Sequence, residues 1–187
     1  YHPPVGGEAP PQDAAQILFI GELEVGKRPD LFLDVIAALR QQGVSASAAM
    51  VGQGSLGTSL RSRADALGVA MLGTRDDVPS LLRHADVLVI TSAPGTEGMP
   101  GVAIESGISA VPVVSTAAAG IADVVEHGVT GYVVDSDDGE RIASTVLRLL
   151  EDPVQRRKMG VAGRSRCLEQ FTMESSAVRW ESEIADL

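Results

Sequence analysis

Cysteine and aromatic residues are scarce in this sequence of 187 residues. It contains one cysteine, Cys167, and only three Phe, two Tyr and one Trp. A single cysteine cannot form an internal disulfide bond, so the sequence predicts a protein of the reducing cytoplasm. Because 44% of the residues are nevertheless hydrophobic, the core is expected to consist of Val, Leu, Ile and Ala. Such a core is typical of α/β layers.

The sequence also lacks a net positive charge and long apolar segments. The formal net charge is −10 at pH 7, whereas a nucleic-acid partner or a broad basic membrane face would require clustered Lys and Arg. No apolar run approaches the roughly 18 residues of a membrane-spanning helix, and the amino terminus has no basic segment followed by a hydrophobic one. The chain starts with Tyr rather than Met, as expected of an excised or processed piece.

The alternation of apolar runs and turn residues divides the chain into three parts. Residues 1–16 contain four prolines and are expected to form an interdomain linker or strip. Residues 17–172 predict a three-layer αβα, Rossmann-like domain with a mainly parallel sheet of about six strands. Residues 173–187 are expected to form a C-terminal helix. The predicted strands are Ile17–Leu23, Ser47–Val51, Val69–Gly73, Asp86–Ser92, Val111–Ser115 and Gly131–Val134.

The strongest functional signal follows the fourth predicted strand. Asp86–Ser92 is a continuous apolar run, as expected of a parallel strand buried on both faces, and glycines and prolines separate it from a predicted helix at Val102–Ser109. In an open α/β sheet, ligands bind beyond the carboxyl ends of the strands. The N–H groups at the helix start would hold an anion, with Glu97 and Glu105 as acceptors for sugar or ribose hydroxyls. This combination indicates a nucleotide-sugar site.

Each of these two carboxylates also has a simpler interpretation. Glu105 is expected in the first turn of the helix, where an acidic side chain complements the helix dipole. Glu97 is expected in the preceding loop, where an isolated carboxylate is usually solvated. The residues alone leave both alternatives open.

Two other motifs suggest different chemistry. The segment 52–57 (GQGSLG) fits the G-x-G-x-x-G pattern, with Asp76 and Asp77 as candidate ribose-binding acids, which allows an NAD enzyme. It follows the second predicted strand rather than the first, so a tight turn without a ligand is favoured over NAD binding. The segment 135–137 (DSD) has the D-x-D pattern of metal–diphosphate sites, but helix capping by Asp137 or Asp138 explains it. No His or Cys cluster has metal-ligand spacing, so no metal is predicted.

The region from Thr96 onwards, taken as a whole, resembles a known family. The E-x7-E pair, followed by VPVVST, a Gly and HGVTGYVV, resembles the C-terminal half of the retaining GT-B glycosyltransferases of family 4, also called group 1. The resemblance extends from Ile17 to about Leu187. It implies the donor-binding half of a hexosyltransferase-type enzyme whose donor is a nucleoside-diphosphate sugar, such as a UDP or GDP sugar, without a metal or a further cofactor.

The resemblance also implies a role for each part of the site. The nucleotide diphosphate would lie across the helix start, with its ribose hydroxyls on Glu105 and its sugar hydroxyls on Glu97, which is counted with Lys27 as catalytic. The glycine-rich loop would approach the phosphates, and the turn around Thr74 and Arg75 would support the base. The implied donor-binding residues are Glu22, Gly52, Gly54, Thr74, Arg75, Gly98, Met99, Pro100, Gly101, Val102 and Glu105.

The loop after the first predicted strand both fits the family pattern and departs from it. Family members carry an Arg directly after the Gly of the first strand and a Lys five residues later, and both hold the donor diphosphate. Lys27 fills the Lys position, although it could also be a surface lysine at a helix start, but Glu22 stands where the family has Arg. An anion about 4 Å from a phosphate could cost several kcal/mol. Either Arg28 substitutes for the missing cation, or Glu22 turns away.

The resemblance finally implies a partner for this chain. Family enzymes build the acceptor site from an N-terminal Rossmann-like domain that this chain lacks, so the chain alone is expected to bind donor without transferring sugar. Lipid-linked acceptors leave open a peripheral contact of the full-length enzyme with the inner face of the membrane. The basic run on the last predicted helix of the domain is expected to be a solvated face. It consists of Arg156, Arg157, Lys158, Arg164 and Arg166.

Two other functions remain in play. The first is a non-catalytic nucleotide-sugar-binding module whose site has decayed, for which Glu22 is the main support. The second is a sugar-nucleotide epimerase or an NAD enzyme built from similar Rossmann-like units. A preference for one nucleoside diphosphate, no response to any nucleotide, or a response to NAD would distinguish the three functions in a thermal-shift screen.

Overall fold

A six-stranded parallel sheet forms the middle layer of the fold. The computed structural model describes residues 16–96 and 98–172, so most of the predicted linker and the whole predicted C-terminal helix lie outside the described residues. The strands are hydrogen-bonded in the order β3-β2-β1-β4-β5-β6, and every pair is parallel. The predicted three-layer α/β fold is therefore confirmed. The strands are β1 (Gln16–Ile20), β2 (Ser47–Val51), β3 (Val69–Met71), β4 (Val87–Ile90), β5 (Val113–Thr116) and β6 (Gly131–Val134).

Helices cover both faces of this sheet. They are α1 (Pro29–Gln41), α2 (Gly57–Leu67), α3 (Val78–Arg83), α4 (Gly101–Ile108), α5 (Ile121–Val124), α6 (Gly139–Glu151) and α7 (Pro153–Gln170). The buried side chains of α1, α2 and α6 pack in one cluster with Ile17 and Phe19 of β1. Those of α3, α4 and α5 pack in a second cluster with Leu18. Successive strand residues thus enter opposite helix layers, as the two-residue period of a strand requires.

The strand order creates a switch point between β1 and β4. The chain runs from β1 to β2 and β3 on one side of the sheet centre, and then returns to place β4, β5 and β6 on the other side. The loops after β1 and β4 therefore diverge at the carboxyl ends of two neighbouring strands. Open α/β sheets bind their ligands at such a point. The two loops consist of residues 21–28 and 91–100.

Strand β1 is shorter than predicted, because its last predicted residues belong to a loop. The strand ends at Ile20 rather than at Leu23. Leu23 donates its N–H to the carbonyl of Gln53, at 3.0 Å, in the loop after β2 instead of continuing the ladder. Its side chain is nevertheless buried in the core. An apolar residue that anchors a loop was thus predicted as part of a strand.

Small residues allow α7 to pack closely against α4. A Cβ built on Gly107 of α4 would lie 2.4 Å from Sγ of Cys167 in α7, so the two helices approach more closely than a side chain at Gly107 would permit. Cys167 is buried, and this burial raises the pKa of its thiol. The neutral thiol therefore acts as a small apolar contact between the helices.

Gly107→Ala is expected to destabilise the fold by about 1–3 kcal/mol, the usual cost of overpacking a tight contact. The matched control is Gly101→Ala in the same helix, where an added Cβ has no atom within 4 Å and the melting temperature should not fall. Thermal melts check both variants. Adding Cys167→Ala to Gly107→Ala should recover part of the loss, because it removes the atom that the new methyl group meets. An unchanged melting temperature in Gly107→Ala would contradict the close packing.

Aspartate side chains cap α6 and α7. Asp138 accepts the N–H of Glu140 at 2.9 Å, and Asp152 caps α7 in the same way. Of the two predicted candidates for α6, Asp138 is therefore the cap. Asp137 instead forms an ion pair with Arg28 at 2.6 Å, so the D-x-D segment is accounted for by the fold. Across residues 16–96 and 98–172, no three His, Cys, Asp or Glu side chains are grouped so that they could hold a metal ion.

The basic residues of α7 do not form one solvated face, which corrects the prediction. Arg156, Arg164 and Arg166 donate hydrogen bonds to main-chain carbonyls at the ends of α6, α4 and α5, respectively. These guanidinium groups satisfy carbonyls that a helix end leaves without intrahelical partners. Arg157, Lys158 and Arg164 are exposed as predicted, whereas Arg156 and Arg166 are partly buried. In the described part of the chain, no helix combines the length and the apolar character needed to cross a membrane.

Candidate functional site

Two adjacent hollows lie at the switch point of the sheet. The first hollow, of about 450 Å³, lies between the ends of β1 and β4. The second hollow, of about 540 Å³, lies between the ends of β1 and β2. Both are lined by Ile20, Gly21 and Glu22. A ligand that extended from one hollow into the other would therefore pass these three residues.

The first hollow brings together residues that are far apart in the sequence. Its lining includes Lys27 from the loop after β1, Gly101 and Val102 from the start of α4, and Glu105 from the same helix. They meet because β1 and β4 are neighbours in the sheet. A cation, main-chain N–H donors and a carboxylate acceptor in one hollow suit a ligand that carries both phosphate and hydroxyl groups.

The start of α4 presents main-chain N–H groups to the first hollow. Pro100 is the N-cap, in an extended conformation with φ −75° and ψ 97°, and its side chain makes no capping hydrogen bond. The N–H groups of Gly101 and Val102 therefore have no acceptor within the helix, and the helix dipole adds partial positive charge at this end. Helix starts of this kind bind anions.

Glu105 lies further along α4 than predicted. The helix begins directly after Pro100, so Glu105 is in its second turn, and the first turn contains no acidic residue. The prediction that placed Glu105 in the first turn is therefore wrong. Since the influence of the helix dipole falls off within the first turn, a role in complementing the dipole becomes a weaker explanation for Glu105. Glu105 is exposed and lines the first hollow.

Hydrogen bonds hold the loop that carries Lys27 against the end of β4. Lys27 is the last residue of a short 3-10 helix, Val25–Lys27. The carbonyl of Gly26 accepts the N–H of Ala93 at 2.9 Å and the hydroxyl of Thr96 at 3.2 Å. These bonds connect the two loops that diverge at the switch point, and they place Lys27 beside the start of α4.

The structure shows neither of the two arrangements that were expected to offset Glu22, namely a Glu22 side chain turned away from the site or Arg28 in place of the missing cation. Glu22 is exposed and lines both hollows, so it has not turned away from them. The Arg28 guanidinium binds the carbonyls of Thr91 and Ser92, at 2.7 and 3.2 Å, and the Asp137 carboxylate, at 2.6 Å, so it does not replace the missing cation. The carbonyls of Thr91 and Ser92, which were predicted to belong to β4, are thus bound by a side chain, and the strand ends at Ile90.

The glycine-rich loop after β2 packs directly on the loop after β1. A Cβ on Gly52 would lie 1.9 Å from the carbonyl oxygen of Gly21, and a Cβ on Gly54 would lie 2.5 Å from that of Leu23. Gly52 also has a φ of 135°, a conformation that side chains disfavour. Both glycines line the second hollow, but the close packing of the two loops requires them in any case. The glycine pattern is thus explained without a dinucleotide.

Glu24, which no motif in the sequence singles out, joins these two loops. Its two carboxylate oxygens accept the hydroxyl and the main-chain N–H of Ser55, each at 2.6 Å. The bond from the Ser55 hydroxyl, followed by the bond from its N–H, lowers the pKa of Glu24. No sequence pattern connects these two residues. Ser92, which lines the first hollow, could have been found from its position at the end of a predicted strand.

The turn that was predicted to support the base lines the second hollow. Thr74 and Arg75 both contribute to its lining. Arg75 donates two hydrogen bonds to the carboxylate of Asp77, at 2.8 and 2.7 Å. These hydrogen bonds are the main reason why the pKa of Asp77 is lowered. A two-bond pairing of this kind fixes the plane of the guanidinium beside the hollow.

The loop between β4 and α4 contributes less to the hollows than predicted. Gly98, Met99 and Pro100 line neither of them. The carbonyl of Gly98 packs instead against Gly120, where a Cβ would lie 1.9 Å from it. Glu97 lies outside the described residues. The sugar-binding roles of this loop therefore remain predictions.

Comparison with known proteins identifies the family. Residues 14–152 match the family described as Glycosyl transferases group 1. The chain is 31% identical, over 193 residues, to D-inositol 3-phosphate glycosyltransferase of Thermobifida fusca, covering 95% of this chain and 42% of that protein. It is also 31% identical, over 178 residues, to the GDP-mannose-dependent alpha-(1-6)-phosphatidylinositol monomannoside mannosyltransferase of Mycolicibacterium smegmatis, covering 89% of this chain and 47% of that protein.

A solved structure shares the fold. The crystal structure of Anabaena Alr3699/HepE in complex with UDP matches with a TM-score of 0.81 at 24% identity, over 93% of this chain and 49% of that one. At this level of identity the likeness shows the fold alone. The chain spans less than half the length of each of these three proteins. The chain belongs to the group 1 glycosyltransferases, as its motifs predicted, and has the fold of the C-terminal domain of a GT-B enzyme.

Proposed function

We propose that this chain binds the nucleoside-diphosphate sugar donor of a retaining glycosyltransferase. One observation carries the proposal: Lys27, the N–H groups at the start of α4, and Glu105 meet in the first hollow of a group 1 glycosyltransferase domain. The relative from Mycolicibacterium smegmatis is named for GDP-mannose, and the Anabaena structure contains UDP. These names support a nucleoside diphosphate as the shared part of the donor.

The donor would occupy both hollows. Its diphosphate would lie in the first hollow, against the N–H groups of Gly101 and Val102, and its ribose hydroxyls would donate to Glu105. The base would lie in the second hollow beside Thr74 and Arg75. Residues 97–100 would hold the sugar, with Glu97 accepting from its hydroxyls.

The chemistry requires stabilisation of a leaving group. Transfer breaks the bond between the anomeric carbon and the diphosphate oxygen and forms a bond from that carbon to an acceptor hydroxyl oxygen on the same face of the sugar. The proton of that hydroxyl passes to the departing diphosphate. The electron pair of the broken bond remains on the nucleoside diphosphate, which gains negative charge. Lys27, main-chain N–H groups and the dipole of α4 would stabilise this charge. These groups are already in place, so little reorganisation is needed, and no metal ion takes part.

The acceptor side of the reaction belongs to a partner domain in this proposal. An N-terminal Rossmann-like domain would supply the acceptor site and the other wall of the cleft, so the chain alone would bind donor and transfer no sugar. The full-length enzyme would act in the cytoplasm, and a lipid-linked acceptor would bring it to the inner face of the membrane.

Glu22 favours a second candidate function. Because Glu22 lines the first hollow, its carboxylate would repel a diphosphate bound there. A non-catalytic module whose donor site has decayed would carry such a substitution without selection against it. The NAD-enzyme alternative lacks comparable support, since packing of the two loops explains Gly52 and Gly54.

A nucleotide panel tests the proposal. The full chain would be titrated with UDP, GDP, ADP, their sugars and NAD, with EDTA present, and binding would be followed by thermal shift and calorimetry. Preference for one nucleoside diphosphate and its sugar, unaffected by EDTA, is the expected result. No response to any nucleotide would favour the decayed module, and a response to NAD alone would overturn both glycosyltransferase readings.

Glu105→Gln is expected to weaken binding of the preferred nucleoside diphosphate by about ten-fold. A hydrogen bond to a charged group contributes about 1.5–3 kcal/mol and a neutral one about 0.5–1.5 kcal/mol, so the loss of charge costs about 1–1.5 kcal/mol, and each 1.4 kcal/mol is about ten-fold in Kd. The matched control is Glu151→Gln, which removes an exposed carboxylate at the last residue of α6 and should leave binding unchanged. Calorimetry with the ribose nucleotide and with its 2′-deoxyribose form tests whether Glu105 binds the ribose hydroxyls. If Glu105→Gln weakens the binding of both nucleotides equally, the ribose assignment is contradicted.

A further inference from the structure

Arg28 has a backbone conformation that its side chain disfavours. Its φ of 46° and ψ of 56° place it in the left-handed region. A residue other than glycine adopts this conformation at a cost in free energy and keeps it only where the surrounding contacts enforce it. Arg28 follows Lys27 directly and precedes the first residue of α1. The contacts that hold Arg28 therefore also determine where Lys27 lies.

Thr91 supplies the first of these contacts. Its side chain is fully buried, and its hydroxyl lies 2.9 Å from the carbonyl oxygen of Lys27 and 2.8 Å from that of Arg28. In return, the carbonyl of Thr91 accepts a hydrogen bond from Nε of Arg28 at 2.7 Å. One residue at the end of β4 thus holds both the main chain and the guanidinium of Arg28.

Asp137 holds the same guanidinium from another loop. Its Oδ1 lies 2.6 Å from Nη1 of Arg28, and the Arg28 side chain is only 18% exposed. Asp137 belongs to the segment between β6 and α6, directly before the cap of α6. The Arg28 side chain therefore connects the 3-10 helix that carries Lys27 to loops after two different strands.

We propose that Thr91, Arg28 and Asp137 are positioning residues, which hold Lys27 where the donor diphosphate binds. The proposal rests on the proposed function, because Lys27 is a ligand of the diphosphate only there. None of the three residues lines either hollow, so they act through Lys27 rather than by touching the donor. Arg28 and Asp137 of the D-x-D segment would thus serve the same role, which is to position Lys27.

The test uses variants that keep the main-chain conformation. Arg28→Gly relieves the left-handed strain but removes the guanidinium, so any loss reflects the side-chain contacts rather than the strain. Thr91→Val removes the hydroxyl at nearly constant volume, and Thr91→Ser retains it as the matched control. Calorimetry with UDP and GDP reports the position of Lys27. Hydrogen exchange of residues 22–31 in the ligand-free full chain reports the order of the loop without any nucleotide.

Arg28→Gly and Thr91→Val are expected to weaken binding by about ten-fold or more, since this is the cost of losing the charged hydrogen bond from Lys27 to the diphosphate. Exchange should become faster in residues 22–31 and stay unchanged in β2 and α6. Thr91→Ser should retain wild-type affinity and exchange. Asp137→Asn should have a smaller effect, because the Asp137 side chain is 73% exposed and exposed ion pairs contribute little.

Three results would overturn the positioning proposal: wild-type affinity and exchange in Arg28→Gly, equal losses in Thr91→Ser and Thr91→Val, or faster exchange spread over the whole domain. If Thr91→Val does not fold, Arg28→Gly carries the test alone. If the wild type binds no nucleotide, the proposed function fails, and hydrogen exchange still decides the positioning. Faster exchange confined to residues 22–31 would then support it, and unchanged exchange would contradict it.

Discussion

Glu22→Arg is expected to strengthen the binding of a nucleoside diphosphate by about 2 kcal/mol, roughly thirty-fold in Kd. The substitution replaces an anion by a cation in the lining of both hollows. At an effective dielectric constant near 20, each unit charge 4 Å from a phosphate would contribute about 4 kcal/mol. Glu22 is exposed, however, and exposed ion pairs contribute about 1 kcal/mol or less. Removing the repulsion and adding the attraction should therefore contribute about 1 kcal/mol each.

Two control variants separate a local effect from a general one. Glu22→Gln removes only the repulsion, so its Kd in calorimetry should lie between those of the wild type and Glu22→Arg. Val25→Arg adds a cation to the same loop, at a residue that is 73% exposed and lines neither hollow. Its effect should be small and should disappear at high salt, because distant exposed charges are screened. If Glu22→Arg binds no more tightly than Val25→Arg, the diphosphate does not lie beside residue 22.

The same titration distinguishes the two candidate functions. A wild-type chain that already binds a nucleoside diphosphate would show that the site tolerates Glu22, as an active donor-binding domain requires. A wild-type chain without measurable binding, together with a Glu22→Arg variant that binds, would identify a decayed site that one cation restores. The second result would favour the non-catalytic module.

Gly52→Ala is expected to destabilise the domain by about 2–6 kcal/mol. Forcing a side chain onto a φ of 135° costs about 1–3 kcal/mol. The new Cβ would lie 1.9 Å from the carbonyl oxygen of Gly21, and overpacking of this kind costs about 1–3 kcal/mol more. Since domains are stable by only about 5–15 kcal/mol, the melting temperature should fall by about 5–20 °C.

Gly57→Ala is the matched control for this loop. It changes the third glycine of the same G-x-G-x-x-G pattern, where the added Cβ would lie 3.5 Å from Cδ1 of Leu23, an ordinary contact. Thermal melts and urea titrations of the two variants should show a large loss for Gly52→Ala and little change for Gly57→Ala. In a dinucleotide-binding loop all three glycines have a role, so equal losses at both positions would contradict loop packing as the reason for the glycine pattern.

Elements with a strong local pattern could be predicted from the sequence with accurate ends. Strand β2 has the predicted bounds, and α1 begins at Pro29, since the fixed φ of proline suits the first residue of a helix. Gly68 ends α2 in the left-handed conformation, with φ 67°, because only a residue without a side chain enters it freely. These features depend on residues that are adjacent in the chain, and a pattern of adjacent residues can report them.

The ends of other elements could not be predicted, because they depend on distant partners. The apolar residue Leu23 extends the pattern of β1, yet its N–H donates a hydrogen bond to the carbonyl of Gln53 in another loop. The run that forms β4 continues to Ser92, yet the Arg28 guanidinium takes the last two carbonyls. Nothing in a local pattern shows which main-chain groups a distant side chain will occupy.

The candidate site shows the same division between local and distant information. Lys27 and Glu105 were singled out from motifs, and the fold brings both into the first hollow. The orientation of Glu22 could not be predicted, because it depends on how the loop after β1 lies against the glycine-rich loop. The pairing of Glu24 with Ser55 has no signal in the sequence, since neither residue type nor spacing marks it.

The sequence by itself determined the family, the parallel α/β layers and the set of residues that could bind a nucleoside-diphosphate sugar, because these follow from motifs and from the periods of strands and helices. Only the tertiary structure decided which of those residues share a hollow and which are engaged elsewhere. Arg28 illustrates the reason: its charge is plain in the sequence, but its partners lie in loops more than 60 residues away, and these partners direct it away from the hollows.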